Sequence, residues 1–165
     1  MPAKLCVLAA FDEATSARIR AIQEVLFAAG HSGRQSKRLP KHITLDIRSM
    51  DEADKTAHLL EQAASSLAPF PVYFNHLGLF PGGRVLFVAP DPSHSLLRLR
   101  GFFAPPESWS PHATLLIEEQ ERILSALPLA LSAFAPFEGR ITRLGLTEVG
   151  SGKLFLELPL TGSDP

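Results

Sequence analysis

Two short segments of the chain combine a histidine and a threonine at the same spacing. They read His42-Ile43-Thr44-Leu45 and His112-Ala113-Thr114-Leu115. In an extended strand, side chains two positions apart share a face, so each histidine should lie beside its threonine while the residues between point into a core. One such match arises easily by chance, and a strand histidine is usually structural. Two copies, both followed by Leu, favour a functional role.

Paired histidines and threonines suit a displacement at phosphorus. Imidazole titrates near neutrality, so one histidine can accept a proton from the nucleophile while the other gives one to the leaving oxygen. Attacking and leaving oxygens lie on opposite sides of a pentavalent phosphorus, which matches two opposed imidazoles. Threonine hydroxyls can donate to the non-bridging oxygens and stabilise the charge that builds there. This scheme requires no metal and no cofactor.

The composition is that of a globular protein of one domain. The 165 residues are 45% hydrophobic and 20% charged, and the net charge of -1 provides no overall basic field to attract nucleic acid. The single cysteine, Cys6, is expected to be buried and inert and favours a cytoplasmic location. No apolar stretch approaches the roughly 18 to 20 residues that cross a bilayer, so no membrane partner is expected.

Strands and helices are predicted to alternate along the chain. Residues 5–11 form an apolar strand, Asp12 caps a helix that ends at Gly30, and Asp51 opens a second helix. Ser93 caps a short third helix, and a fourth is expected over 118–134, broken or kinked at Pro128. The remaining strands are expected at 42–48, 72–79, 84–89, 112–117, 138–149 and 154–160.

The second half of the sequence repeats the first. The two His-x-Thr segments start at 42 and 112, an offset of 70 residues, and an Ala-Pro-Phe followed by Leu-Gly-Leu occurs at 68–79 and again at 135–146, an offset of 67. These matches predict a duplicated unit, with one bilobal domain over 1–165 divided into about 1–90 and 91–165. A pseudo-twofold axis would bring both histidines to one groove, and a monomer is expected because the duplication supplies what a dimer would.

Paired His-x-Thr strands in a small duplicated chain resemble the two-histidine phosphoesterase superfamily, which contains the 2',5' RNA ligases and RNA cyclic phosphodiesterases. The resemblance covers most of the chain. It implies an α+β bilobal fold with two antiparallel-rich sheets around a central groove and helices outside. It also implies metal-independent chemistry on 2',3'-cyclic or 2',5'-phosphodiesters, with an RNA end or small nucleotide as substrate.

By the same resemblance, His42 and His112 would be the acid and base, and Thr44 and Thr114 would bind phosphate. One order has His112 activating water and His42 protonating the leaving sugar oxygen, although the residues do not fix it. The nearly neutral charge, with one Tyr and one Trp, favours a short substrate. Candidate contacts are the aromatic Phe11 and Trp109 for a base, and Arg34, Lys37, Arg38 and Lys41 for phosphate.

Three alternatives stay open at this point. The aromatic candidates could be core residues, and the basic loop that carries Arg34 could be an ordinary solvated loop. The groove could bind nucleotides or RNA ends without catalysis. The two histidines could also belong to a metal site, although no acidic residue stands at obvious ligand spacing.

Overall fold

The computed structural model describes residues 2–34, 39–80 and 82–163. Along this part of the chain the order is β1 (Lys4–Phe11), α1 (Glu13–Ala28), β2 (His42–Ser49), α2 (Ala53–Ser66), β3 (Phe70–Leu79), β4 (Val85–Pro90), α3 (His94–Gly101), β5 (Ala113–Ile117), α4 (Gln120–Ala133), β6 (Phe137–Glu148) and β7 (Leu154–Pro159). The predicted α+β class is confirmed. No helix within those ranges is both long and apolar enough to cross a membrane.

Polar side chains start two of the helices as predicted. Asp12 accepts a hydrogen bond from the Thr15 amide at 2.8 Å, and Ser93 accepts one from the Leu96 amide at 3.2 Å. Each satisfies an amide that lacks a partner inside its helix. Asp51 does not open α2 directly, because it lies in a 3₁₀ turn over Met50–Glu52 that precedes the helix.

The fourth helix differs from the prediction at its start and its centre. It begins at Gln120, so Glu118 lies outside it, and it runs without a break through Pro128. Proline lacks the amide that would bond the Leu124 carbonyl. Leu124 is 50% exposed, so this turn of the helix lies at the surface, where water can take the place of the missing donor. The helix is therefore not broken at Pro128, and a kink there stays a prediction.

The strands form one antiparallel sheet in the order β2-β1-β6-β3-β4-β5, with β7 paired to β6. The two expected sheets are thus joined through a short pairing of residues 70–74 in β3 with 137–141 in β6. On the two sides of that junction, β1 corresponds in position to β4 and β2 to β5. The division of the chain near residue 90 stays a prediction.

Strand β1 is apolar on both faces, and the two faces have different surroundings. Leu5, Val7, Ala9 and Phe11 belong to the main hydrophobic core, together with buried residues of every helix. Cys6, Leu8 and Ala10 form a separate small cluster on the opposite face, against Leu39. This second face is the floor of a cleft, and the neighbouring strand β2 carries the first His-x-Thr segment beside it.

Candidate active site

The first His-x-Thr segment lies at one edge of the sheet and faces the cleft. In β2, His42 pairs with Ala10 and Thr44 pairs with Leu8. Directly paired residues of antiparallel strands share a face, so both side chains stand over the cleft floor. Ile43, which alternates with them, is fully buried in the main core. The predicted sharing of one face by His42 and Thr44 follows from this register.

The second segment repeats this arrangement at the other edge. Thr114 of β5 pairs with Phe87 of β4, and Ala113 pairs with Val88. Val88 and Ala113 are buried in the core, whereas Phe87 and Thr114 take the opposite face. His112 comes immediately before the first residue of β5. In both halves an apolar side chain therefore flanks the threonine.

Contacts between the halves bring the two edge strands together. Strands β2 and β5 lie at opposite ends of the strand order but are in contact. Trp109 Nε1 donates to the Thr44 carbonyl oxygen at 3.2 Å, and Gln23 Nε2 of α1 donates to the Leu115 carbonyl oxygen at 2.9 Å. His112 also lowers the pKa of His42 electrostatically, which requires the two imidazoles to be near one another.

Each edge strand contains a β-bulge at the leucine that follows the threonine. The register passes from Asp46 to Thr44 opposite β1 and from Leu116 to Thr114 opposite β4, so Leu45 and Leu115 are the extra residues. A bulge inserts one residue and reverses which later side chains face the cleft. Ile47 and Ile117 consequently line the cavity, rather than the residues that simple alternation would select.

Each histidine makes an equivalent hydrogen bond through its Nδ1 atom. Nδ1 of His42 lies 2.7 Å from the Pro40 carbonyl oxygen, and Nδ1 of His112 lies 2.8 Å from the Ser110 carbonyl oxygen. A carbonyl only accepts, so Nδ1 must carry the proton in each ring. This fixes the neutral tautomer and leaves Nε2 as the basic nitrogen in both halves.

Burial favours the neutral form of both imidazoles. It lowers the pKa of His42 and of His112 from the ordinary value, because a partly desolvated ring resists a positive charge. The carbonyl hydrogen bonds oppose this shift, while His112 and Lys41 lower the pKa of His42 further. A proton placed on one histidine therefore disfavours a proton on the other, as an acid and base pair requires.

A cavity of about 280 Å³ lies between the two segments. It is lined by Cys6, Gln23, Leu39, Pro40, Lys41, His42, Thr44, Ile47, Ala113, Thr114, Ile117, Val149 and Gly150. His42 and both threonines thus line one cavity, and Lys41 adds a cationic side chain to it. No carboxylate occurs among these lining residues, which suits an anionic ligand.

The sequence profile of the 2'-5' RNA ligase superfamily matches residues 11–153 of this chain. The chain belongs to this superfamily. No curated protein matches it at a significant level.

Solved structures share the fold of the chain. TT0787 of Thermus thermophilus aligns with a TM-score of 0.67 at 19% identity over 98% of this chain and 100% of that one. E. coli LigT complexed with 3'-AMP gives 0.64 at 19% identity, over 98% and 99%. Kluyveromyces marxianus Usb1 with uridine monophosphate gives 0.51 at 16% identity, over 96% and 98%. The predicted two-histidine phosphoesterase fold is thereby confirmed.

The cationic candidates from the sequence have different surroundings. Lys41 lines the cavity, and its pKa is lowered by burial and by the nearby Arg20. Arg34 lies at the end of β5, where its guanidinium pairs with Glu119 at 2.7 Å. Lys37 and Arg38 lie outside the described residues. Lys41 therefore lies at the cavity and Arg34 does not line it. A phosphate contact by any of the four cationic candidates stays a prediction.

Of the two aromatic candidates, Phe11 is contradicted by the structure. It is 1% exposed and packs edge to face against Phe74 in the main core, so no base can reach it. Trp109 is half-buried, does not line the cavity, and binds the Thr44 carbonyl while Arg100 lies over its ring. The hydrogen bond from Trp109 to Thr44 joins the two halves of the chain. Base stacking by Trp109 stays a prediction.

The repeated Leu-Gly-Leu supplies room beside each threonine, a role that the sequence analysis missed. Gly78 pairs with Phe87, and Gly145 pairs with Leu8. A Cβ at Gly78 would lie 2.4 Å from the Phe87 ring, and one at Gly145 would lie 2.9 Å from Leu8 Cδ1. Each glycine therefore lets the apolar neighbour of a site threonine lie flat across the adjacent strand.

Phe87 also packs against the imidazole ring of His112. Its ring centroid lies 5.1 Å from that of His112, and Phe80 approaches the same imidazole edge to face at 4.6 Å. The two phenylalanines are in contact with each other at 4.6 Å. Aromatic packing on this scale restricts the imidazole without contributing a charge.

We expect Gly78→Ala to be more damaging than Gly145→Ala. Phe87 is packed between Phe80 and His112, whereas the atom nearest to a Cβ at Gly145 is the end of the flexible Leu8 side chain. Gly78→Ala should lower the free energy of unfolding by about 1 to 3 kcal/mol, the range for overpacking, and Gly145→Ala by less. Urea unfolding of both variants measures the difference.

The double variant Gly78→Ala/Phe87→Leu tests the cause. It places beside the new methyl group a leucine like the one that Gly145 meets in the other half, so it should regain stability relative to Gly78→Ala alone. Equal destabilisation by the two glycine variants, or no recovery in the double variant, would contradict the account.

Glu118, directly after β5, anchors the segment that follows α1. Its Oε1 accepts from the amides of Ser32 at 2.9 Å and Gly33 at 3.0 Å, and the Arg34 amide donates to the Ile117 carbonyl at 2.7 Å. The Gly33 hydrogen bond is the largest cause that lowers the Glu118 pKa to about 2. The ionised carboxylate thus ties residues 32–34 to the strand of the second site segment.

Proposed function

We propose that the chain is a metal-independent phosphoesterase that acts on 2',3'-cyclic phosphate or 2',5'-phosphodiester bonds of RNA ends or small nucleotides. Superfamily membership supports a 2',5' RNA ligase-like phosphoesterase. The observation that carries the finer proposal is the matched tautomer of His42 and His112. Each Nδ1–H is used by a carbonyl, so each Nε2 is available to exchange a proton with a ligand.

Hydrolysis of a cyclic phosphate balances with these groups. One Nε2 accepts a proton from water as its oxygen bonds to phosphorus, and the Nε2–H of the protonated partner donates to the ribose oxygen as its bond to phosphorus breaks. The hydroxyls of Thr44 and Thr114 donate to the non-bridging oxygens, where negative charge increases in the transition state. The histidines have exchanged protonation states at the end of the cycle.

The assignment of acid and base rests on the electrostatics around His42. The resemblance suggests one order, with His112 as the base and His42 as the acid, which the residues themselves do not fix. Lys41 and His112 both disfavour a proton on His42, which favours the reverse order for hydrolysis. A coupled pair can exchange these roles when the reaction runs in the opposite direction.

A small nucleotide is the substrate class that the known complexes favour. E. coli LigT has been solved with 3'-AMP, and Kluyveromyces marxianus Usb1 with uridine monophosphate. The net charge of -1 on this chain gives little general attraction to long nucleic acid. We therefore propose a nucleoside phosphate or a short RNA end in the cavity.

The second candidate is a module that binds nucleotides or RNA ends in the same cavity without turnover. It shares every contact that holds the ligand and differs only in whether the histidines transfer protons. The remaining alternative is a metal site that includes the two histidines. In the three described ranges, no group of three or more His, Cys, Asp or Glu side chains is placed to hold a metal ion.

Turnover of a nucleoside 2',3'-cyclic phosphate in EDTA distinguishes these functions. We expect turnover, with kcat/KM following a bell-shaped pH profile because the free enzyme needs one neutral and one protonated histidine. Burial lowers the pKa of both, so activity should already fall as the pH rises above about 6.5 and fall again at lower pH where both histidines are protonated.

Binding without turnover would contradict the phosphoesterase and support the non-catalytic module. Activity abolished by EDTA and restored by zinc would contradict metal independence. An alkaline limb centred well above about pH 7 would contradict the role of two buried histidines, because their pKa values lie below the ordinary one.

A further inference from the structure

Two aliphatic side chains lie exposed within the cavity that His42, Thr44 and Thr114 line. Ile47 is 46% exposed and Val149 is 47% exposed, and both line the cavity together with Leu39 and Pro40. Single exposed aliphatic residues are common on protein surfaces. Several that converge in a concave site beside polar groups are typical of a binding wall for an apolar group.

The aliphatic wall consists of Leu39, Ile47 and Val149, of which Ile47 and Val149 are held by β-structure. The bulge at Leu45 turns Ile47 toward the cleft. The Val149 amide donates to the Lys4 carbonyl at 2.8 Å, which fixes it at the end of β6. Leu39 packs on the Cys6–Leu8–Ala10 cluster of the cleft floor. The three residues of the aliphatic wall therefore have defined positions relative to His42 and Thr44.

We propose that the aliphatic wall binds the nucleobase of the substrate. The inference rests on the proposed function and deepens it. Opposite β1, His42 pairs with Ala10 whereas Ile47 pairs with Cys6, so Ile47 lies farther along the cavity floor from the imidazole. The imidazole, the hydroxyls and Lys41 suit a phosphate, and the aliphatic side chains suit an apolar group. A nucleotide matches this division because it joins an anionic phosphate to a base with flat, weakly polar faces.

The wall contacts the faces of a base and does not read its edge. Among the described lining residues, Gln23 and Cys6 are the polar side chains that remain besides the two threonines, His42 and Lys41. Gln23 is 2% exposed and its amide is bonded to β5, and Cys6 is 6% exposed with its sulfur 3.8 Å from Thr44 Oγ1. We therefore expect kcat/KM for the four common nucleoside 2',3'-cyclic phosphates to agree within about 10-fold, since edge recognition gives much larger ratios.

The test compares each nucleoside 2',3'-cyclic phosphate with the 2',3'-cyclic phosphate of methyl riboside, which has no base. Ile47→Ala and Val149→Ala should lower the ratio of kcat/KM between these substrates by about 5- to 10-fold each, because apolar contact is lost only where a base is present. Ile47→Tyr should raise the ratio, since a ring stacks on a base. Leu131→Ala is the matched control, because Leu131 is an exposed aliphatic residue of α4, 58% exposed and outside the cavity.

The outcomes separate this inference from the proposed function. An unchanged ratio in the Ile47 and Val149 variants, or more than about 100-fold discrimination among bases, would overturn the aliphatic wall as a base site. If the wild-type protein turns over neither substrate, the proposed function fails. The wall is then judged by the ratio of Kd values for a nucleoside 3'-phosphate and methyl riboside 3-phosphate, which the same variants should change in the same directions.

Discussion

Replacing His42 or His112 with Asn lowers kcat on a nucleoside 2',3'-cyclic phosphate by about 10²- to 10⁴-fold, the range of a general acid or base. The Asn amide can still donate a hydrogen bond toward the Pro40 or Ser110 carbonyl, but it cannot exchange a proton with the ligand. Steady-state kinetics of the two variants in EDTA measure the loss. The double variant should be little slower than either single one, because the histidines act as a unit.

His76→Asn provides the matched control. His76 is exposed on β3, and its Nδ1 pairs with Asp91 at 3.3 Å, away from the cavity. We expect this variant to retain wild-type kcat. Substantial turnover in either His42→Asn or His112→Asn, with retained folding, would show that the corresponding imidazole does not transfer a proton.

Thr44→Val and Thr114→Val should each lower kcat by about 10²- to 10³-fold, as expected for the loss of one donor to a developing negative charge. Valine keeps the shape of threonine and removes only the hydroxyl. The loss should appear more in kcat than in KM, because negative charge on the non-bridging oxygens increases toward the transition state. Serine at either position retains the hydroxyl and should recover most of the rate.

Thr161→Val serves as the control for the threonine variants, since Thr161 is exposed and lies outside the cavity. Changes confined to KM in Thr44→Val and Thr114→Val would mean that the hydroxyls hold the substrate without stabilising the transition state. Equal losses for the valine and serine variants would exclude the hydroxyl as the cause.

The shared face of His42 and Thr44 could be predicted because their pattern is local. Two-residue spacing in a strand decides that His42 and Thr44 share a face. His112 lies just before β5, so a face shared by His112 and Thr114 stays a prediction. The repeat then indicated that the two pairs meet. Asp12 and Ser93 were likewise identified as caps from their own positions before a helix. The cytoplasmic location and the monomeric state stay predictions.

Other features depend on neighbouring strands and could not be derived from local pattern. β1 is apolar at every position from Leu5 to Phe11, so the sequence contains no alternation to show that Phe11 points into the core. Glu118 looks like the start of a helix, but the amides of Ser32 and Gly33 reach it from a distant part of the chain. The position of Ile47 at the cavity depends on a bulge in the register of β2 with β1.

The repeat carried more information than the sequence analysis used. Leu and Ile follow the threonine at the same distances in both halves, as Leu45 and Ile47 and as Leu115 and Ile117. The structure gives each pair the same geometry, a bulge and then a residue that lines the cavity. The repeated glycines lie on β3 and β6. These strands pair with β4 and β1 on the side opposite to β5 and β2.

The central claim is that His42 and His112 belong to one ligand site. Long-range proton–nitrogen NMR spectra of protein labelled with ¹⁵N-histidine, recorded during titration with a nucleoside 3'-monophosphate, test it most directly. Without ligand, both rings should be neutral near pH 7 and carry their proton on Nδ1. With ligand, Nε2 of both should shift and saturate with a single Kd. A shift of only one ring, or saturation at two different concentrations, would contradict the claim.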